Sequence, residues 1–361
     1  MINGKIIGID ARMIEMSGIG TYIQHLMGEG IYDYAFGDES IIRKYDKDVK
    51  VIPFNAPIYS PKEQISFPND EAKKAGIVLM HFPHYNVPLN YRGKFVVTVH
   101  DLTHIVLPKF LGSRLKYYYA KILLNHALKK SEHIFTVSNN SKKDICEIFG
   151  ISPDKISITY NAVDNDFRVK EKAEIEYLYE KYMIPRDKRL LMYVGNLKPH
   201  KNLSRLIEAF SRLDSRDSYR LLLVGKAFSS TDLKTEEKKL GIKDIVIHTG
   251  MVSKQELVDL YNLADLFVFP SLYEGFGIPP LEAMACGTPV IAANNSSIPE
   301  VVGDAAILFD AYSIDAIAEA IKKSEDPIYE RDLIEKGKMR IMTFTWMEAV
   351  NNVKRCLINI L

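Results

Sequence analysis

Short apolar runs recur along almost the whole chain, each followed by a longer amphipathic stretch, and this alternation restricts the fold more than any other feature. The first half reads KIIGID, VLMHF, KFVVTVHD, HIFTVS and ISITYN; the second reads LLMYVGN, YRLLLVGK, DIVIHTG, DLFVFPS, TPVIAAN and AAILF. Near-continuous hydrophobicity fits strands buried on both faces, as in parallel sheets covered by helices. Segments such as LSRLIEAFSRL and SKQELVDLYNLA lie between the runs. Their apolar residues fall at i, i+3, i+4 and i+7, the spacing of an amphipathic helix. Such alternation predicts a doubly wound α/β architecture.

At 361 residues the chain exceeds what one hydrophobic core usually organises, so two domains are expected. The strand series is interrupted once, by the charged stretch RVKEKAEIEYLYEKYMIPRDKR, before new strands open at Leu190. We therefore expect domains over 1–170 and 185–344, the boundary falling within 165–188. A final helix, about 345–361, is expected to pack back on the first. Two such α/β domains leave a cleft between their strand C-terminal ends, where sheets of this kind bind ligands.

Charge narrows the partners. A net charge of +1, with 26% charged and 47% hydrophobic residues, describes a globular domain rather than a nucleic-acid binder, which would carry a basic excess. Cys146, Cys286 and Cys356 lie far apart at no metal-ligand spacing and read as reduced thiols. The opening MINGKIIGIDAR is too short and polar for a signal peptide, and no apolar run reaches the roughly 18 residues that span a bilayer. A cytoplasmic location is the expectation.

The most chemically loaded stretch is SLYEGFGIPPLEAMACGTPV, residues 271–290. It follows the buried run LFVFPS, so LYEGFG forms a strand-end loop and PPLEAMAC a helix with proline in its first turn. Gly287 suits the helix C-terminus. Gly275 and Gly277 let backbone approach a ligand, and the amides ahead of the helix offer a positive site for phosphate or sugar oxygens. Glu274 and Glu282 could be an acid/base pair, two clamps on hydroxyl groups, or solvated surface. As a clamp, Glu282 would accept hydrogen bonds from vicinal hydroxyls, as acidic residues do with a ribose.

Set between two strands, this stretch resembles the donor-site signature of retaining glycosyltransferases with the two-Rossmann-domain GT-B fold, particularly glycosyltransferase family 4. GIDAR…SGIGTY, VVTVHDLTH, FTVSNNSKKDI, ITYNAVD, MYVGNLKPHKNLSRLIEAF, LLLVG, TGMVSKQEL and AAILFD resemble the same family in order, over residues 5 to 350. The resemblance implies a hexosyltransferase using a nucleotide-sugar donor, with no cofactor and no metal. It places Glu282 on the ribose and Glu274 beside the transferred sugar. Backbone at Gly275, Phe276, Gly277 and Ile278 would contact the sugar or diphosphate. Lys201 would neutralise the diphosphate as the leaving nucleotide gains charge. Met251 and Val252, with Gly225 beneath, would read the base.

The chain departs from the pattern at Asn196, where many members carry arginine, and at His200. Asn196 is either a phosphate ligand or a loop-structuring residue. In the first domain Gly18 and Gly20 would face the donor phosphates, with Ile23 replacing the third glycine of a dinucleotide fingerprint. His100 would reach the donor sugar, and Asp101 would orient its imidazole or contact the acceptor. Arg12, beside Asp10, and Tyr85, on a loop with His81 and His84, are assigned to the acceptor. The pattern resembles mannosyltransferases of bacterial surface polysaccharides most, so GDP-mannose is the expected donor, with UDP- or dTDP-sugars as alternatives. The expected acceptor is a glycan or lipid-linked oligosaccharide. A non-catalytic nucleotide-sugar-binding subunit is the reading from another class.

Residues 102–131 carry six basic side chains (Lys109, Arg114, Lys116, Lys121, Lys129 and Lys130) and no acidic one, with Phe110 and Tyr117–Tyr119 interleaved. Such a segment suits the surface of an anionic bilayer. The alternative is a solvated helix whose tyrosines pack on the sheet.

Overall fold

A computed structural model of the chain describes residues 4–226 and 231–361. The first three residues of the polar opening stretch lie outside them. The chain divides into two compact units, one running to Asn161 and reclaiming Thr345–Leu361, the other covering Ala162–Phe344.

In the first unit β1 (Ile6–Asp10), β2 (Tyr34–Gly37), β3 (Lys50–Pro53), β4 (Ile77–Phe82), β5 (Phe95–Val99), β6 (His133–Thr136) and β7 (Ile156–Ile158) form one sheet. Their order is β3-β2-β1-β4-β5-β6-β7, every pair parallel. The winding direction reverses between β1 and β4, where Ile9 stands opposite His81. Ile7, Ile9, Leu79, Val96 and Phe135 are fully buried, as two-sided cover requires. The helix Trp346–Ile360 adds Val350, Val353 and Leu357 to this core against Tyr22, Ile23 and Leu26.

The second unit holds β8 (Arg189–Val194), β9 (Tyr219–Val224), β10 (Val246–Gly250), β11 (Leu266–Phe269), β12 (Val290–Ala293) and β13 (Ala306–Phe309). They lie in the order β10-β9-β8-β11-β12-β13, again all parallel, with the reversal between β8 and β11.

All eleven apolar runs form strands; β2 and β3 were missed. Their sequences are YAFG and KVIP, and β3 sits at the sheet edge with Lys50 and Pro53 exposed, so neither carries a long apolar run. The boundary also needs correction. It lies just after Asn161, and the charged stretch placed between domains folds with the second unit as two short helices, Lys172–Ile175 and Tyr177–Lys181. Long-range contacts hold it there. Phe167 meets Tyr261 edge-on at 6.0 Å, and Asp259 accepts from both Lys170 and Tyr177.

Candidate active site

In the second unit the stretch after β11 is a loop held from several sides. The Leu272 amide donates to the His200 carbonyl at 2.7 Å, and Asn295 donates to the Leu272 carbonyl. The Glu274 amide donates to Ser296 Oγ at 3.0 Å, while Ser297 Oγ lies 2.9 Å from the carbonyls of both Glu274 and Phe276. Phe276 is buried, with its ring edge-on to Phe344 at 5.4 Å. Gly277 has φ 100°, which favours glycine, and a Cβ there would press on the Phe269 ring at 3.3 Å. The helix Ile278–Ala285 starts immediately after, and Gly287 follows its end at φ 79°.

The strand ends bring Lys201 and Glu274 together: Nζ lies 2.7 Å from Oε1, with the side chains 19% and 15% exposed. Lys201 closes the 3-10 turn Pro199–Lys201, and Asn202 beside it adopts a left-handed φ of 61°. The buried Asn202 amide donates to the Pro270 carbonyl at 3.0 Å and the Ala311 carbonyl at 2.8 Å, and accepts from Arg205. One side chain thus ties the loops after β8, β11 and β13, and with them the lysine to the glutamate.

Glu282 has a different partner. It lies in the helix Ile278–Ala285 and accepts from the Tyr261 hydroxyl at 3.0 Å. Burial lifts its carboxyl to about 7, with the Tyr261 hydrogen bond pulling the other way and Asp164 adding to the rise. The two carboxylates of the 271–290 stretch are therefore committed separately, Glu274 to a cation and Glu282 to a phenol.

At the outer strands Gly225, at φ 144°, donates to the Gly250 carbonyl at 3.0 Å, which links it to the turn carrying Met251 and Val252; Met251 is 75% exposed. Asn196 Oδ1 accepts the Lys198 amide at 3.1 Å, which braces the loop after β8.

In the first unit His100 follows β5. Its Nε2 lies 2.9 Å from the Pro83 carbonyl, which can only accept, so Nε2 carries the hydrogen and Nδ1 is the acceptor. Tyr22 meets the ring edge-on at 5.0 Å. Burial lowers His100 to about 4, against opposing effects of Pro83 and Asp101, so the imidazole is neutral near pH 7. Asp101 accepts the Thr103 amide at 2.8 Å. Desolvation pushes its carboxyl up, but the Thr103 amide and hydroxyl and the imidazoles of His104 and His84 outweigh that and leave it lowered.

Several expectations for this unit are corrected. Arg12 does not present its guanidinium to a substrate. Its side chain is 5% exposed and pairs with Asp10 at 2.6 Å and with the fully buried Glu63 at 2.9 Å. A further bond reaches the Ala56 carbonyl at 3.1 Å. An unpaired buried guanidinium would be prohibitively costly, so the chain neutralises it internally. Gly20 is a packing residue within the helix Ser17–Gly28, since a Cβ there would sit 2.4 Å from the Ile14 carbonyl oxygen. Gly18 is exposed in the first turn of the same helix. His81 lies in β4 rather than on a loop, fully buried between the Tyr32 hydroxyl at 2.6 Å and Thr98 at 2.8 Å. Tyr85 is buried with its ring on His84 at 4.2 Å.

Sequence reasoning missed Glu63, Asn202, Ser296, Ser297 and Tyr59. Tyr59 is 51% exposed at a left-handed φ of 64°, with its amide donating to Glu63 and its hydroxyl 3.4 Å from His84 Nε2. Only Asn202 left a trace, an asparagine directly ahead of a helical pattern. Among the described residues no group of three or more His, Cys, Asp or Glu side chains is arranged to hold a metal ion.

Two parallel doubly wound units, the second presenting a lysine–glutamate pair at its strand ends, are the architecture of GT-B glycosyltransferases. Residues 175–340 match the family model described as "Glycosyl transferases group 1", and residues 58–167 match "Glycosyltransferase Family 4". The chain belongs to glycosyltransferase family 4, among the group 1 enzymes. It is 32% identical over 272 residues to the O-antigen chain mannosyltransferase B of Escherichia coli, covering 74% of this chain and 71% of that protein. It is 29% identical to the serotype-specific mannosyltransferase WbdA of Escherichia coli, over 75% of this chain but only 34% of WbdA, about a third of its length. In fold it is similar to sucrose-phosphate synthase from Thermosynechococcus elongatus (TM-score 0.80, 19% identity, 98% of each chain). It is similar also to Anabaena HepE in complex with UDP-glucose (TM-score 0.78, 17% identity, 98% of this chain and 99% of that one).

Proposed function

We propose that this glycosyltransferase transfers a hexose with retention at the anomeric carbon and without a metal, taking mannose from GDP-mannose to a hydroxyl of a glycan or lipid-linked oligosaccharide in surface polysaccharide synthesis. The observation that carries the reading is the Lys201–Glu274 pair, held by Asn202 and the serines at 296 and 297 on a loop that leads into a helix. In the resting protein the two charges satisfy each other. An arriving diphosphate competes for Lys201, which then offsets the charge growing on the leaving group and releases the Glu274 carboxylate for the transferred sugar. Backbone from Gly275 to Ile278 lines the diphosphate and sugar, Glu282 holds the ribose hydroxyls, and the turn at Met251 and Val252 meets the base.

His100, neutral with Nδ1 as acceptor, serves the same reaction by receiving a sugar hydroxyl. The departing phosphate oxygen takes the proton of the incoming acceptor hydroxyl, so no second carboxylate is needed. That the two carboxylates have separate partners supports this over a glycosidase-like pair flanking one bond. The names of the mannosyltransferase relatives favour mannose; UDP- or dTDP-sugars are the second reading. The reading includes a cytoplasmic location with contact of residues 109–130 at the inner face of a membrane. Among the described residues no helix is long and apolar enough to cross one.

The test is incubation with GDP-mannose, UDP-glucose and dTDP-sugars, each with an O-antigen-type oligosaccharide and with and without EDTA. Transfer from GDP-mannose that survives EDTA and yields an α-linked product by NMR is expected. A β-linked product, loss of activity in EDTA, or transfer from another nucleotide alone would overturn the corresponding part.

A further inference from the structure

The helix Ile298–Val302 is only five residues long, which leaves the carbonyls at its end without partners inside it. Arg340, in the helix Pro327–Ile341, supplies the missing donors. Its Nε donates to the Val301 carbonyl at 2.7 Å and its Nη2 to the Glu300 carbonyl. Gly303, just past the short helix at φ 58°, leaves room for this approach, since a Cβ there would come within 3.3 Å of the guanidinium. The front of the same short helix anchors the loop that carries Glu274. Ser297, its fully buried N-cap residue, lies 2.9 Å from the carbonyls of Glu274 and Phe276. A hydroxyl has one hydrogen, so both carbonyls converge on a single point whose place the helix fixes.

Arg340 acts on the same loop from a second direction. Its guanidinium carbon lies 4.9 Å from the centre of the Phe344 ring, and the buried Phe344 meets Phe276 edge-on at 5.4 Å. A closed circuit results, from Arg340 through the short helix and Ser297 to Phe276, and back through Phe344. The helix Pro327–Ile341 is itself seated on the helix that carries Glu282: Gly337 is buried, and a Cβ there would come within 3.1 Å of Met284. A planar guanidinium can donate along two directions while its face covers a ring, which an ammonium cannot do. These bonds go to carbonyls, so the arginine sets the place of a helix end.

We infer that Arg340 is a positioning residue for the donor loop. Through Ser297 and Phe344 it fixes the backbone from Glu274 to Phe276, and with it the carboxylate placed beside the transferred sugar. The inference rests on the transferase reading for what Glu274 does.

The experiment compares wild type with Arg340→Ala, Arg340→Lys and Phe344→Leu by two readouts. One is hydrogen–deuterium exchange of the full chain, read on peptides from 272–286, which needs no substrate; the other is steady-state transfer from GDP-mannose. Arg340→Ala should speed exchange in 272–286 about tenfold, the scale of losing hydrogen bonds from a charged donor. Peptides from β8 and β9 should exchange as in wild type. Its kcat should fall about tenfold or more, with a smaller rise in KM, as expected for a group displaced by a change outside the reacting centre. Arg340→Lys keeps the charge but loses the fork and should resemble the alanine variant, while Phe344→Leu should show the same loop-confined defect more weakly. Wild-type loop exchange or wild-type kcat in Arg340→Ala would overturn the inference. So would acceleration spread equally over β8, β9 and the loop, which would make Arg340 a residue of general stability. An Arg340→Lys variant that matches wild type would overturn it too, by reducing the effect to charge. If wild type transfers nothing from GDP-mannose, the donor assignment falls and the exchange result alone decides the positioning role.

Discussion

The strand C-terminal ends of the two units handle charge in opposite ways. In the second unit a lysine and a glutamate meet at a partly exposed loop, and a second glutamate is held by one phenol and lifted to about 7. In the first, the charge of Arg12 is offset inside the fold by Asp10 and Glu63, and His84 and His100 are pushed down to about 3 and 4. The second unit keeps charge available at its surface, as binding of an anionic nucleotide requires. The first presents neutral imidazoles and phenols, which suit hydroxyl-rich ligands.

The largest effect expected from breaking this contrast falls on stability. Arg12→Ala leaves Glu63 and Asp10 without their cation and should cost about 3–5 kcal/mol in urea unfolding. If this variant instead keeps its stability and loses transfer, the first unit's charges are catalytic and the contrast collapses. Lys201→Ala should keep the fold and reduce kcat/KM for transfer by about 10²–10³-fold, the scale of losing one fixed electrostatic group at a developing charge. An effect below threefold would remove the lysine from the mechanism. His100→Ala should lower kcat by about 10²-fold while leaving nucleotide affinity unchanged, because its proposed contact is with the sugar. With its imidazole lowered to about 4, the wild-type rate should show no histidine step near pH 6.5.

The smallest effect sharpens the reading of Glu282. Its folded value of about 7 lies above the ordinary carboxylate value of 4.5. Between those limits the folded protein holds a proton that the unfolded chain has released, so this group's contribution to stability declines as pH rises through the window. In the ribose-binding role proposed for it Glu282 acts as a carboxylate, so nucleotide affinity should rise between pH 6 and pH 8. Glu282→Gln should flatten that profile and weaken binding about tenfold, the scale of a charged hydrogen bond. Isothermal titration of GDP across the range checks both.

What was legible in the sequence followed from chain-local physics. Strands buried on both faces read as unbroken apolar runs, so eleven of the thirteen strands among the described residues were found; the two misses, YAFG and KVIP, carry few strongly apolar side chains, and the second lies at the sheet edge. The strand–loop–helix placement of Glu274 and Glu282 was likewise readable, because glycines and prolines punctuate it. The partners were not. Lys201 lies 73 residues from Glu274, and Arg12 lies 51 from Glu63. No periodicity connects positions so far apart.

The sequence alone determined that this chain builds two parallel sheets wrapped in helices and which loop carries its acidic chemistry, since burial on both faces and turn residues leave local marks. Only the tertiary structure decided that Arg12 is spent on an internal network and Lys201 is held against Glu274, and that Leu115, Tyr118 and Ile122 face outward. Whether a charge or an apolar side chain is cancelled or left available depends on what the fold brings beside it, and that neighbour comes from a distant part of the chain.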